Sequence, residues 1–194
     1  MARGTEVQLD GPVDERARSL LGRTFTAHGV TVVLTEVEAY GGVDDPASHA
    51  FTRTPRSEVM YGPSGRLYVY RSYGIHHCAN VVTGPTEQAA AVLLRAGRVV
   101  AGLDLARERR GAVPDDRLAR GPGNLAQALG ISLADLGTPV TRGGPLGLGE
   151  RVEEPEVVAG PRVGVSLAAD VPWRFWTAGD PSVSAYRRSP RAPR

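Results

Sequence analysis

Two carboxylates and a phenol stand two residues apart in Thr35-Glu36-Val37-Glu38-Ala39-Tyr40. In a strand, alternate side chains share a face, so Glu36, Glu38 and Tyr40 point the same way with Leu34, and Val33, Thr35, Val37 and Ala39 point the other. Carboxylates at this spacing sit about 7 Å apart, near enough for each to raise the other's pKa where water is excluded. One could then act as a base while the other orients partners. A second loaded segment runs from Tyr61 to Asn80 and holds four of the six tyrosines and two of the four histidines. Rings that dense, with amide and guanidinium partners, suit a flat, polar, aromatic ligand, and nucleobases are the commonest of these.

Other chemistries are excluded or lack support. All 23 cationic side chains are arginine, so a Schiff-base mechanism would need the N-terminal amine, and nothing around it suggests a prepared site. Cys78 is the single cysteine, which rules out an internal disulfide and a multi-cysteine zinc site. His76, His77 and Cys78 are adjacent and so alternate between faces, and with no second ligand cluster neither a metal nor another cofactor is expected. Gly121-Pro122-Gly123-Asn124-Leu125-Ala126 matches the G-x-G-x-x-A dinucleotide pattern, but polar residues precede it where a buried strand should be. The same stretch can still present free N–H groups to a phosphate at a helix N-terminus. Net charge is only +2, with arginines densest at 107–110, 117–120 and 187–194, and a planar guanidinium fork suits phosphate well.

The elements that must position these residues read as α+β within one domain, 1–186, followed by a disordered Arg/Pro tail, 187–194. A helix is predicted over Asp14 to Leu21. A hairpin of Thr24 to Ala27 and Val30 to Tyr40 follows, turning at His28-Gly29. Gly41 to Ser64 is a long polar loop, of a length that must be functional or disordered. Strands are predicted over Leu67 to Tyr73, Ala79 to Thr83 and Ala89 to Leu94, the last ending at Arg95, with later candidates at Pro161 to Val165 and Arg174 to Thr177. Helices are predicted over Val99 to Arg110, closed by Gly111, and over Pro122 to Leu129, with Pro122 early and Gly130 at the end. The longest apolar run, Ala89 to Leu94, is too short to span a bilayer, and the N-terminus lacks the apolar core of a signal peptide, so a soluble, cytoplasmic protein is expected.

In that order and spacing, Thr35-Glu-Val-Glu-Ala-Tyr40, His49, Tyr68-Val-Tyr-Arg-Ser-Tyr73-Gly-Ile-His-His-Cys-Ala-Asn80, Ala91-Val-Leu-Leu-Arg95 and Gly121-Pro-Gly-Asn-Leu125 resemble the 3-methyladenine DNA glycosylases of the alkyladenine type. The resemblance runs from about Leu20 to Ser184. It implies a monomeric, monofunctional enzyme that flips a damaged purine out of duplex DNA and hydrolyses its N-glycosidic bond. The implied fold has a curved antiparallel sheet, flanking helices and a protruding hairpin that enters the minor groove. Carried onto this sequence, Glu38 is the general base and Arg95 positions its water. Tyr40, His49 and Tyr70 line the base pocket, and Asn80 tests the exocyclic groups. Tyr73 fills the hole in the duplex, while His76, Arg71, Gly121 and Gly123 contact DNA. Tyr68 is expected to point into packing.

These roles are physically coherent. N3- or N7-alkylated purines are cationic, so tyrosine faces attract them by about 0.5 to 2 kcal/mol per good contact, and the charge makes the base a good leaving group. The oxocarbenium-like sugar left behind is stabilised by a carboxylate that also delivers water. Flipping costs least at a damaged pair. Absence of lysine argues against a further β-elimination step. The rival reading is a damage- or nucleic-acid-binding module that uses the same rings without catalysis.

Overall fold

The computed structural model describes residues 8–193. Helix α1 (Val13–Leu20) follows Pro12, carries Asp14 and Glu15 in its first turn, where the helix dipole favours them, and buries Ala17 and Leu20. Strands β1 (Arg23–Ala27) and β2 (Val30–Tyr40) form the expected hairpin, with His28 and Gly29 both at positive φ in the turn. Strands β3 (Leu67–Ser72) and β4 (His76–Val82) form a second hairpin, and β5 (Ala91–Ala101) returns beside it. Helices α2 (Leu103–Arg110) and α3 (Pro122–Leu129) come next, then β6 (Leu146–Arg151), β7 (Val157–Gly160) and β8 (Arg174–Thr177).

All eight strands belong to one open antiparallel sheet ordered β3-β4-β5-β2-β1-β6, with β8 also on β2 and β7 beyond β8. The eleven-residue β2 changes partner along one edge: Val30 to Val33 pair with β1, whereas Glu36 to Val37 and Glu38 pair with β8. Its other edge pairs with β5 throughout, with the register slipping between Leu34 and Glu36 and again between Glu36 and Val37. The second slip leaves Arg95 as the extra residue, because Glu36 faces Ala96 and Val37 faces Leu94. A bulge of this kind re-aims a side chain.

The two faces of the sheet are chemically distinct. Val37, Leu67, Val69, Val81, Val92 and Leu94 join Leu20 and Phe25 and the α3 leucines, Leu125 and Leu129, in the main core. Each such leucine or valine contributes about 1.5 to 3 kcal/mol of burial. The opposite face carries one rank of cross-strand neighbours, Tyr68, Asn80, Leu93, Glu38 and Arg174, running over β3, β4, β5, β2 and β8. The α+β single-domain architecture is as expected. Among the described residues no helix is long and apolar enough to cross a membrane.

Several boundaries differ from the sequence reading. The helix expected over Val99 to Arg110 begins only at Leu103, because Val99 and Val100 extend β5 along β2 and Gly102 breaks the chain at φ 73°. A side chain at Gly102 would collide with the Gly29 carbonyl oxygen, so glycine is required there. Strand β4 starts at His76 rather than Ala79, since hairpin pairing extends to Ser72 opposite His76. No strand forms over 161–165: β7 ends at Gly160, and Val163 N then bonds the Glu38 carboxylate while Gly164 N bonds the Arg187 carbonyl. The tail residues 187–193 contain no helix or strand, yet Arg188 pairs with Asp170 and the Arg187 carbonyl accepts from Gly164 N.

Candidate active site

A cleft of about 660 Å³ opens over the polar face of the sheet. Its sheet wall comes from Tyr68 and Tyr70 on β3, Cys78 and Asn80 on β4, and Leu93 and Arg95 on β5. The long loop after β2 supplies Pro46, Ala47, His49 and Arg56, and the segment 163–167 closes the opposite side. The loop is held down by a second apolar cluster in which Ala50, Met60 and Tyr61 pack on Tyr68, Val82 and Ala91. Tyr61 also donates to the Ala50 carbonyl at 2.9 Å.

Glu36 and Glu38 do share a face, but Arg95 lies between them. Arg95 Nε donates to Glu36 Oε1 at 2.7 Å, and its Nη1 lies 3.3 Å from Glu38 Oε2. Arg174 Nε also donates to Glu36 Oε1 at 2.7 Å, and Ser184 donates to Glu36 through its N–H at 2.7 Å and its hydroxyl at 2.9 Å. Burial alone would raise the Glu36 pKa, but the charges of Arg95 and Arg174 and the Ser184 and Arg174 hydrogen bonds bring it below the ordinary carboxylate value. The mutual elevation of two neighbouring carboxylates expected from spacing is therefore overturned for Glu36. The two guanidinium charges and the hydrogen bonds together outweigh desolvation.

Glu38 has a different set of partners. Tyr40 Oη donates to its Oε2 at 2.9 Å, and Val163 N donates to its Oε1 at 2.7 Å. The carboxylate itself is fully buried, beneath Tyr40, Arg95 and Val163, all three of which line the cleft. Tyr40 has a phenol pKa well above 10, first through desolvation and then through the negative charge of Glu38, so it remains a hydrogen-bond donor.

The aromatic wall is equally defined. His49 Nδ1 and Tyr68 Oη share a 2.9 Å hydrogen bond, and the His49 ring meets Tyr70 edge-on at a centroid distance of 4.5 Å. Desolvation, then the positive charge of Arg56, depress the His49 pKa to about 4, leaving a neutral imidazole at the cleft mouth. Tyr70 is pushed well above 10 by burial and by its neighbour Cys78. Asn80 is buried and donates from Nδ2 to the Tyr68 carbonyl at 3.0 Å.

Tyr73 is 93% exposed at the tip of the β3–β4 hairpin. Its φ of 49° and the 69° of Gly74 place both in the left-handed region, and Ile75 N closes this turn onto the Ser72 carbonyl at 3.0 Å within a three-residue connection. Arg71 and Tyr73 belong to the cleft lining, and exposed His76 sits on the same hairpin. Gly121, at φ 95°, precedes α3. A Cβ on Gly123 would lie 3.0 Å from the His76 Cβ, so glycine lets the start of α3 approach the hairpin base.

The structure thus brings Glu38, Tyr40, His49, Tyr70, Asn80 and Arg95 into or directly beneath one cleft, with Arg71 and Tyr73 on its rim. Tyr68 packs as expected, in the second apolar cluster, and it also borders the cleft and bonds His49, on the same face as Tyr70. Period two was a sufficient signal for it. Val163 and Arg162 carried no comparable signal, because Val163 bonds Glu38 across 125 positions and Arg162 bonds Asp45 across 117.

Comparison with known proteins identifies the family. Residues 7–181 match the family model described as methylpurine-DNA glycosylase (MPG). A protein of Mycolicibacterium paratuberculosis named "Putative 3-methyladenine DNA glycosylase" is 55% identical over 208 aligned residues, covering 100% of this chain and 97% of its own. A relative of the same name from Cutibacterium acnes is 52% identical over 189, covering 93% and 99%. With its motifs gathered around one cleft and matched along nearly its whole length, the chain belongs to the methylpurine-DNA glycosylase family.

Proposed function

We propose that this protein is a monofunctional 3-methyladenine DNA glycosylase that flips an alkylated purine out of duplex DNA and hydrolyses its N-glycosidic bond. The observation that carries the mechanism is the Glu38 carboxylate, held on both oxygens directly beneath a ring-walled cleft. Family membership and the names of its relatives support the reaction class.

In this reading Tyr40, His49 and Tyr70 sandwich the extruded base and Asn80 lies beside it. A neutral His49 leaves that wall without a cationic imidazolium to repel a cationic purine. Water enters between Tyr40 and Arg95, the cleft-lining side chains that touch Glu38 Oε2, and gives its proton to the carboxylate as oxygen attacks the sugar carbon. The glycosidic electron pair leaves with the base. Tyr73 fills the vacated stack, as wedge side chains do. Arg71, His76 and the amides at Gly121 and Gly123 contact the backbone and minor groove.

The test is release of free 3-methyladenine from methylated duplex DNA by wild type and by Glu38→Gln. Wild type releases the base without breaking the strand until alkali is added, and the variant is slower by roughly 10²- to 10⁴-fold, the usual worth of a general base. No release by wild type defeats the enzyme reading in favour of a binding module. Equal release by both removes Glu38 from the mechanism, and spontaneous nicking contradicts monofunctionality.

A further inference from the structure

Arg162 is the largest fully buried side chain of the described residues, and Glu38 is not its partner. Its guanidinium grips Asp45 with two bonds, of 2.6 and 2.9 Å, and donates to the Ala39 carbonyl at 3.0 Å. The ring of Tyr40 lies 4.8 Å from its central carbon and that of Trp173 5.4 Å. Asp45 accepts in turn from Gly41 N at 3.0 Å and Ala47 N at 3.1 Å. One ion pair therefore ties together the end of β2, the first turn of the long loop and the segment that follows β7.

Both hydrogen-bond donors to Glu38 hang from this knot. Val163, whose N–H reaches Oε1, is the next residue after Arg162, and Tyr40, whose hydroxyl reaches Oε2, packs its ring on the guanidinium. The loop that Asp45 folds also carries Pro46, Ala47 and His49 of the cleft wall. A buried ion pair adds little net stability over a well-packed apolar pair of the same volume, so its distinctive contribution is geometry. We infer that Asp45 and Arg162 are positioning residues for the reaction: as a unit they set the orientation of the Glu38 carboxylate and the height of the cleft wall, without touching substrate. The inference rests on Glu38 being the base.

The measurement is the single-turnover excision rate constant on a duplex with one 3-methyladenine or 7-methylguanine, corrected for the fraction of active sites, beside the affinity for that duplex. Asp45→Asn and Arg162→Lys each lower the rate constant by roughly 10- to 100-fold, since a displacement near 1 Å can cost about 10²-fold. Affinity stays within about threefold, and the double variant falls no further than the worse single one because the pair acts together. Where Asp45→Asn does not fold, Asp45→Glu keeps the charge, displaces the grip by one methylene and gives a loss of about fivefold. A purely structural role would reduce the active fraction and leave its rate constant at the wild-type value, and that result overturns the inference. Glu38→Gln, run alongside, separates the two readings. If it stays active the base assignment fails, whereas if it is inactive and the Asp45 and Arg162 variants keep the wild-type rate constant, only the positioning role fails.

Discussion

Glu36 and Glu38 are two residues apart on one strand, equally buried, and in contact with the same arginine, yet their surroundings differ. Glu36 accepts from Arg95, Arg174 and both donors of Ser184. Neither Arg174 nor Ser184 belongs to the cleft lining, so three of these four bonds come from outside the cleft. Glu38 is held by Tyr40 and Val163 with a longer contact to Arg95, and all three line the cleft. Two acids from one sequence motif thus divide the work: one is saturated and fixes the arginine, and the other is held by groups that a ligand would touch. Number and location of donors, more than burial, set the difference.

The comparison breaks most sharply if the two acids are exchanged in experiment. Glu38→Gln is expected to lose roughly 10²- to 10⁴-fold in excision with only about 1 to 2 kcal/mol of stability, measured by denaturant unfolding. Glu36→Gln is expected to lose about 3 to 5 kcal/mol of stability, the cost of breaking a buried ion pair, while its folded fraction keeps excision within about tenfold of wild type. Similar profiles for both would erase the distinction. A smaller effect is expected for Arg174→Met, which removes one Glu36 donor and leaves Arg95 in place: about 1 to 3 kcal/mol of stability, with excision rate unchanged within about threefold.

The smallest effect is the acid dependence of melting. Glu36 titrates below its ordinary 4.5 when folded, so its stabilisation is present above that pH and is lost as pH falls through the lowered value. His49 has an ordinary value of 6.5 and a folded value of about 4, so the unfolded chain takes up the proton first and stability declines as pH falls between those values. His49→Asn should flatten the upper part of the Tm profile and Glu36→Gln the lower part. A profile unmoved by either substitution would contradict both assignments.

How far the sequence reached depended on whether a relation was periodic or tertiary. Alternation placed Glu36, Glu38 and Tyr40 together, and the turn chemistry of His28-Gly29 and the Pro122 to Gly130 punctuation located β1, β2 and α3. The same alternation puts Tyr68 on the face of Tyr70, where it both packs and bonds His49, and the second of these depends on how the long loop folds back. Arg95 as the residue between the carboxylates depends on a register slip opposite Glu36, which no local pattern encodes. The start of α2 was misplaced because the charged run after Gly102 reads as helix, while Val99 and Val100 were already committed to β2. Ser184 and Val163 reach the acids from segments far away in sequence, one with no predicted element and one predicted as a strand over Pro161 to Val165 that does not form.

Ser184 has a consequence for how the molecule comes into being. Its bonds to Glu36 span 148 positions, and Ser182 reaches Thr35 across 147, so the donor set of Glu36 cannot be complete until the distal segment has left the ribosome. A nascent chain long enough to display every aromatic of the cleft still holds that carboxylate with only part of its cage. The full set of donors around Glu36 is therefore assembled only once the segment around residue 184 is available to pack beside β2.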